Sequence, residues 1–267
     1  MQDVGKFRKN KKDQFYTKDH VAISCIQSLL MTYPFTRQYT WIEPSAGKGA
    51  FLRNIPSSIS SMGMDIDPQG DGIVRQDYLT WTPPAGDFLV VGNPPFGRQS
   101  TLAKSFIRKS CDFATMVAFI LPRSFTKPSM FHVFPSKFHL LSSTELEFNS
   151  FLLNGLPYDV PCVFQIWQKG DTDRPPNEKI MPRGFSYVKD DYHFACRRIG
   201  VFAGKCYLNY GTVYSPQSHY FIRLNDPTNL LAIVDYMNQH EFPSNTVGPR
   251  SLSQSEINVV LNTIIKM

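Results

Sequence analysis

The apolar positions fall into two regimes along the chain. Over residues 18–32 (KDHVAISCIQSLLMT), Val21, Cys25 and Leu29, with Ile26 and Leu30, recur at three- and four-residue spacing. That period predicts one amphipathic helix. Short apolar runs follow at 39–43, 60–65, 72–75, 87–92 and 115–121, each stopped by a polar or glycine-rich turn. Such runs predict strands, and the segments 50–54 and 99–111 between them are predicted helical. Alternating strand, turn and helix argues for an α/β fold, a Rossmann-like, doubly wound and mostly parallel sheet. Its ligand would sit at the carboxyl ends of the strands. Runs at 138–146 and 160–169 predict an antiparallel pair that closes the sheet.

Residues 170–182 (GDTDRPPNEKIMP) are charged and proline-rich, which predicts a linker or excursion. The chain is therefore expected to divide into 1–170 and a smaller α+β region, 171–267. That region reads as short strands at 185–188, 193–199 and 220–224, then a helix after Pro227. A last helix opens at Ser253, where Glu256 three residues on completes a capping box.

Composition adds limits rather than a fold. Hydrophobic residues make up 42% of the chain and charged ones 19%, ordinary values for a soluble domain. The net charge is +6, which fits a polyanionic partner. Much of it sits in a basic arm, where Lys6, Arg8, Lys9, Lys11 and Lys12 lie within residues 1–12. Residues 171–267, by contrast, carry 10 Lys/Arg against 9 Asp/Glu. The five cysteines form no C-x-x-C pair and the six histidines show no ligand spacing, so reduced thiols and no metal are expected. No apolar run approaches the ~18 residues of a membrane span, and the amino terminus is too polar for a signal peptide. A soluble, intracellular protein is expected, with no membrane partner; its oligomeric state is not legible.

The chemistry lies in the turns. Glu43-Pro44-Ser45-Ala46-Gly47-Lys48-Gly49-Ala50-Phe51 follows the first strand. Its small residues let backbone pass close to a ligand at a helix start. The spacing fits neither G-x-x-x-x-G-K-[ST] nor a full G-x-G-x-x-G. Gly63-Met64-Asp65-Ile66-Asp67-Pro68 ends the second strand, placing Asp65 where a carboxylate can accept from both hydroxyls of a ribose. Gln76-Asp77-Tyr78-Leu79 follows the third, where Asp77 could accept from an adenine amino group. The strand Asp87–Gly92 then runs into Asn93-Pro94-Pro95-Phe96-Gly97. Two adjacent prolines remove two backbone donors and leave rigid carbonyl acceptors. The Asn93 amide adds another acceptor and Phe96 a flat face.

In this order the motifs resemble the S-adenosylmethionine-dependent amino-methyltransferases whose catalytic motif is [NDS]-P-P-[YFW], within them the adenine-N6 group. Asp13-Gln14-Phe15-Tyr16-Thr17 is similar to the extra motif those enzymes place ahead of the first strand. The resemblance covers roughly residues 13–170. It implies the cofactor S-adenosylmethionine, held by Gln14, Tyr16, Thr17, Glu43, Ser45, Ala46, Gly47, Asp65, Ile66, Asp77, Tyr78 and Asn93. Catalysis would fall to Asn93, Pro94, Pro95 and Phe96, the last in place of the commoner Tyr. Residues 171–267 match no named module and by position are expected to recognise the target. Arg123 and Phe125, after the fifth strand, are candidates to contact a flipped base; Arg197, Arg198 and Lys205 are candidates for phosphate.

The implied reaction is methyl transfer to adenine N6 in DNA. RNA as the polymer is the nearest alternative. A protein-glutamine methyltransferase, an N4-cytosine enzyme and a catalytically inactive nucleic-acid-binding module are more distant ones.

Overall fold

A computed structural model describes residues 15–176, 179–242 and 250–265. The chain forms two compact units, Met1–Pro176 and Asn177–Met267. In the first, β1 (Tyr16–Thr17) leads into the amphipathic helix α1 (Asp19–Thr32). Then come β2 (Thr40–Glu43), β3 (Ser61–Asp65), β4 (Ile73–Arg75), β5 (Phe88–Gly92), α2 (Thr101–Phe113) and β6 (Met116–Pro122). The unit ends with β7 (Phe138–Glu145), β8 (Phe151–Leu153), β9 (Leu156–Tyr158) and β10 (Cys162–Lys169).

Seven of these strands form one sheet in the order β4-β3-β2-β5-β6-β10-β7. The pairs among β4, β3, β2, β5 and β6 are parallel. β10 runs antiparallel to both neighbours, β6 and β7. This is the expected Rossmann-like sheet with antiparallel closing strands. Every residue of β5 (FLVVG) and β6 (MVAFILP) is buried, as continuous apolar runs demand at the centre of a parallel sheet. Strand order reverses between β2 and β5, which opens a crevice at their carboxyl ends.

Two features depart from expectation. A second, three-stranded sheet pairs β1 with β8 and β8 with β9. Its hairpin turns on Asn154 (φ 52°) and Gly155 (φ 80°), the double left-handed pattern of a two-residue I′ turn. The first unit also extends to Pro176, six residues beyond the expected boundary. Arg174 explains the extension. It donates to the carbonyls of Phe138 (2.6 Å), Phe131 (2.9 Å) and Phe134 (3.2 Å). Its guanidinium lies 5.1 Å from the centre of the Trp167 ring, which also stacks on Phe134 at 3.9 Å.

The second unit contains β11 (Phe185–Tyr187), β12 (Phe194–Arg197), β13 (Cys206–Leu208), β14 (His219–Leu224), α3 (Leu230–Gln239) and α4 (Gln254–Ile264). Its strands make an antiparallel sheet in the order β11-β14-β12-β13. Alternation sends Phe194, Cys196, Ile222 and Leu224 into a core with Ile233, Met237, Ile257 and Leu261 of the helices. Ser253 caps α4 with Glu256 in a complete capping box.

Candidate active site

The four sequence motifs end four adjacent strands, so they meet along one edge of the sheet. Across that edge they run 76–79 after β4, 65–67 at β3, 43–47 after β2 and 93–96 after β5. They surround a cavity of about 720 Å³. Of the residues expected to bind cofactor, Tyr16, Thr17, Glu43, Ser45, Ala46, Gly47, Asp65, Ile66, Asp77, Tyr78 and Asn93 all line it. Pro94, Pro95 and Phe96 do too. Gln14 and the basic arm 1–12 lie outside the described residues. Lining residues that the sequence did not single out are Lys18, Arg53, Leu102, Phe106 and Leu152. Leu152 arrives with the β8–β9 hairpin, and the Asn154-Gly155 pair was the signal for it.

The turn after β2 is built by backbone donors and carboxylates. Glu43 accepts from the N–H groups of Leu52 (2.8 Å) and Phe51 (3.4 Å), organising the short helical turn that begins there. The carboxyl is buried, and desolvation pushes its pKa up to about 8 despite those two donors. Gly92 (φ 147°) ends β5 against it; a Cβ there would lie 3.3 Å from Glu43 Cγ. Asp65 accepts from Gly47 N at 2.7 Å and from Asp67 N at 2.8 Å, tying the β2 and β3 turns together. Each carboxylate oxygen keeps a second lone pair, so a diol can still be accepted. Asp77 Oδ1 accepts from Leu79 N at 2.9 Å. Beside it Ile66 is 69% exposed, an apolar side chain held open in the cavity wall. Tyr78 contributes differently from its neighbours. It is fully buried and its hydroxyl bonds Ser110 Oγ at 2.7 Å, so it supports the wall from the core.

Asn93 is the focus of the site. Its Nδ2 donates to the Phe15 carbonyl at 3.0 Å, and its own carbonyl accepts from Ser45 Oγ at 3.1 Å. The first bond fixes which way the amide faces. It leaves Oδ1 buried with no hydrogen-bond partner. An unmade hydrogen bond at a buried acceptor costs roughly 1–3 kcal/mol. The chain beyond the motif is bent tightly, with Gly97 (φ 68°), Gln99 (φ 53°) and Ser100 (φ 58°) all left-handed before α2 begins. Non-glycine residues in that region cost about 1 kcal/mol or more each, strain of the kind that clusters at functional sites.

Phe96 is only 7% exposed. Its ring lies 6.3 Å from Phe15, which stacks on Tyr158 at 5.4 Å with the planes 7° apart. The expected stacking face is thus covered by an aromatic from the chain's own amino-terminal segment.

The expectation for Phe125 is corrected. Its side chain is 1% exposed in the core, so it cannot sandwich a base. Arg123 does not line the cavity; it pairs with Glu145 at 2.8 Å on the exposed side of the closing strands. Arg197, Arg198 and Lys205 belong to the second unit, where Arg198 is held over the Tyr220 ring at 4.9 Å. Among the described residues no His/Cys/Asp/Glu group could hold a metal, and no helix is long and apolar enough to cross a membrane.

A scan of the sequence against family models and a search of curated proteins find no match. Solved structures do show likeness. A provisionally named RNA methyltransferase of Pyrococcus horikoshii is 15% identical, with 61% of this chain aligned to 91% of that one and a TM-score of 0.49. The M protein of the type I restriction enzyme EcoKI is 14% identical over 61% of this chain and 46% of its own, TM-score 0.41. The N-methyltransferase NodS of Bradyrhizobium japonicum, in complex with S-adenosyl-L-homocysteine, is 11% identical over 63% and 97%, TM-score 0.42. With TM-scores below 0.5 these likenesses settle no function, which has to be read from the site's own residues.

Proposed function

We propose that the chain transfers the methyl group of S-adenosylmethionine to the exocyclic N6 of adenine in DNA. The observation that carries this reading is the buried, unpartnered Oδ1 of Asn93, fixed in orientation and set beside a rigid Pro94-Pro95 pair in a nucleoside-sized cavity. The residues fit the cofactor. Asp65 accepts from the ribose, Asp77 from the adenine amino group, Ile66 covers the adenine face, and Glu43 with the 45–47 turn holds the methionine end.

The cofactor supplies an electrophilic methyl. The rest is positioning. Adenine N6 is a poor nucleophile because its lone pair is delocalised into the ring. Asn93 Oδ1 and the Pro94 carbonyl accept its two hydrogens, which favours a tetrahedral nitrogen with its lone pair free. The same dipoles then stabilise the positive charge that develops there, and the proton leaves afterwards. Burial of Asn93 means that a base inside a duplex must be flipped out, at a few kcal/mol of unstacking. Phe15 must swing off Phe96 for that base to stack. DNA rather than RNA follows the layout of a catalytic unit with one C-terminal unit, as in stand-alone DNA methylases; this is analogy with the resembled family.

The test is methyl transfer from labelled cofactor to matched DNA and RNA, single- and double-stranded, with nucleoside analysis. N6-methyladenine in DNA is expected. Label confined to RNA would reassign the polymer. No label in any nucleic acid would overturn the reading.

A further inference from the structure

One face of the second unit's sheet packs on α3 and α4; the other is unlike it. Alternation places Arg197 of β12, Tyr207 of β13 and His219 and Phe221 of β14 on that second face, opposite Cys196, Cys206 and Ile222. Tyr214, from the loop before β14, stacks on Tyr207 with centroids 5.4 Å apart and planes 25° apart. The His219 ring meets Tyr214 at 4.7 Å and Tyr207 at 6.1 Å. Both tyrosines keep part of their surface in solvent.

His219 is the informative residue. Its side chain is buried (the residue is 6% exposed), yet Nε2 has no hydrogen-bond partner. Nδ1 lies 2.9 Å from Ser218 Oγ, and that hydroxyl donates its one hydrogen to the Ser215 carbonyl at 3.2 Å. Ser218 Oγ must therefore accept from Nδ1–H, a tautomer assigned from the network that leaves Nε2 a bare acceptor. Desolvation and the Arg197 charge lower the His219 pKa, keeping the ring neutral. A buried acceptor flanked by two aromatic faces, with a guanidinium nearby, is an arrangement that internal packing alone does not need.

We infer that this sheet face binds single-stranded polynucleotide, with bases against Tyr207 and Tyr214, a phosphate on Arg197, and a base amino or imino hydrogen on His219 Nε2. Every base has a π face and every linkage a charge, so aromatic rings beside a cation bind a strand with little sequence preference. Splayed bases suit such a sheet; a stacked duplex presents none. The inference rests on the proposed function for its choice of a polynucleotide but not for its test.

The experiment is fluorescence anisotropy of the full chain with labelled single-stranded DNA and RNA 20-mers and with the matching duplexes, without cofactor. Single strands are expected to bind more tightly than duplexes. Tyr214→Ala and Arg197→Glu should each weaken single-strand binding about tenfold or more, while Tyr214→Phe, which keeps the ring, should bind like the wild type. Cofactor affinity by calorimetry, a property of the first unit, serves as the folding control. Single strands bound equally well by wild type, Tyr214→Ala and Arg197→Glu would overturn the inference, as would a wild type that binds no single strand. Loss of binding in the variants without methyl transfer to any nucleic acid would sustain the surface and remove the methylation reading alone.

Discussion

Gly47 shows how closely the cavity wall is fitted. Its φ of 52° disfavours any side chain, and a Cβ would sit 3.1 Å from the Tyr16 ring. Gly47→Ala should destabilise the first unit by about 1–2 kcal/mol and weaken cofactor binding, read together by urea unfolding and calorimetry. Wild-type affinity in that variant would show that the 45–47 turn does not touch the cofactor. Glu43 gives a second test at this scale. Its folded pKa of about 8 lies above the ordinary 4.5, so between those values the folded chain holds a proton that the unfolded chain has lost. Stability contributed by this group is present below about pH 4.5 and declines as pH rises toward 8. Urea unfolding from pH 6 to 8.5 should therefore fall more steeply for the wild type than for Glu43→Gln; parallel profiles would contradict the burial argument.

Arg174 and Ser253 each hold an element in place. Arg174→Ala removes three hydrogen bonds to carbonyls and a cation from the Trp167 ring, and should destabilise the first unit by roughly 2–3 kcal/mol. Ser253→Ala breaks a capping box and should cost the second unit about 1 kcal/mol. Both are read as shifts of the urea midpoint. The elements that patterning exposed were those with a strong period or a long apolar run: α1, the central strands and the capped α4. β8, β9 and β13 are three residues each, too short for a period, and β9 carries Pro157, which argues against a strand unless it lies at an edge. Asn154-Gly155 alone marked that hairpin. Phe125 was misplaced because local sequence does not say which side of a turn faces the core. Asp65, Asp77 and Asn93 were legible as neighbours because parallel strands bring their carboxyl-end turns to one edge. The covering of Phe96 by Phe15 was not, since it depends on β1 pairing with a strand more than 130 residues away.

Across the whole molecule the two units keep separate cores, and all five thiols are buried within them. Burial pushes the Cys25 thiol up to about 12 and raises Cys111, Cys162 and Cys206 as well. A chromogenic thiol reagent should thus label the native chain slowly and take up five equivalents only on unfolding; fast native labelling would contradict the packing. The arrangement of the catalytic unit makes one demand above all: a buried acceptor at the end of β5 must meet a substrate hydrogen. Asn93→Ala removes that acceptor and leaves most of the cavity wall intact. The most direct measurement is its single-turnover methyl transfer to adenine-containing DNA beside calorimetric cofactor affinity. The account predicts a rate at least about 100-fold below wild type with cofactor affinity within a few-fold. A variant that transfers methyl groups at near the wild-type rate would contradict it.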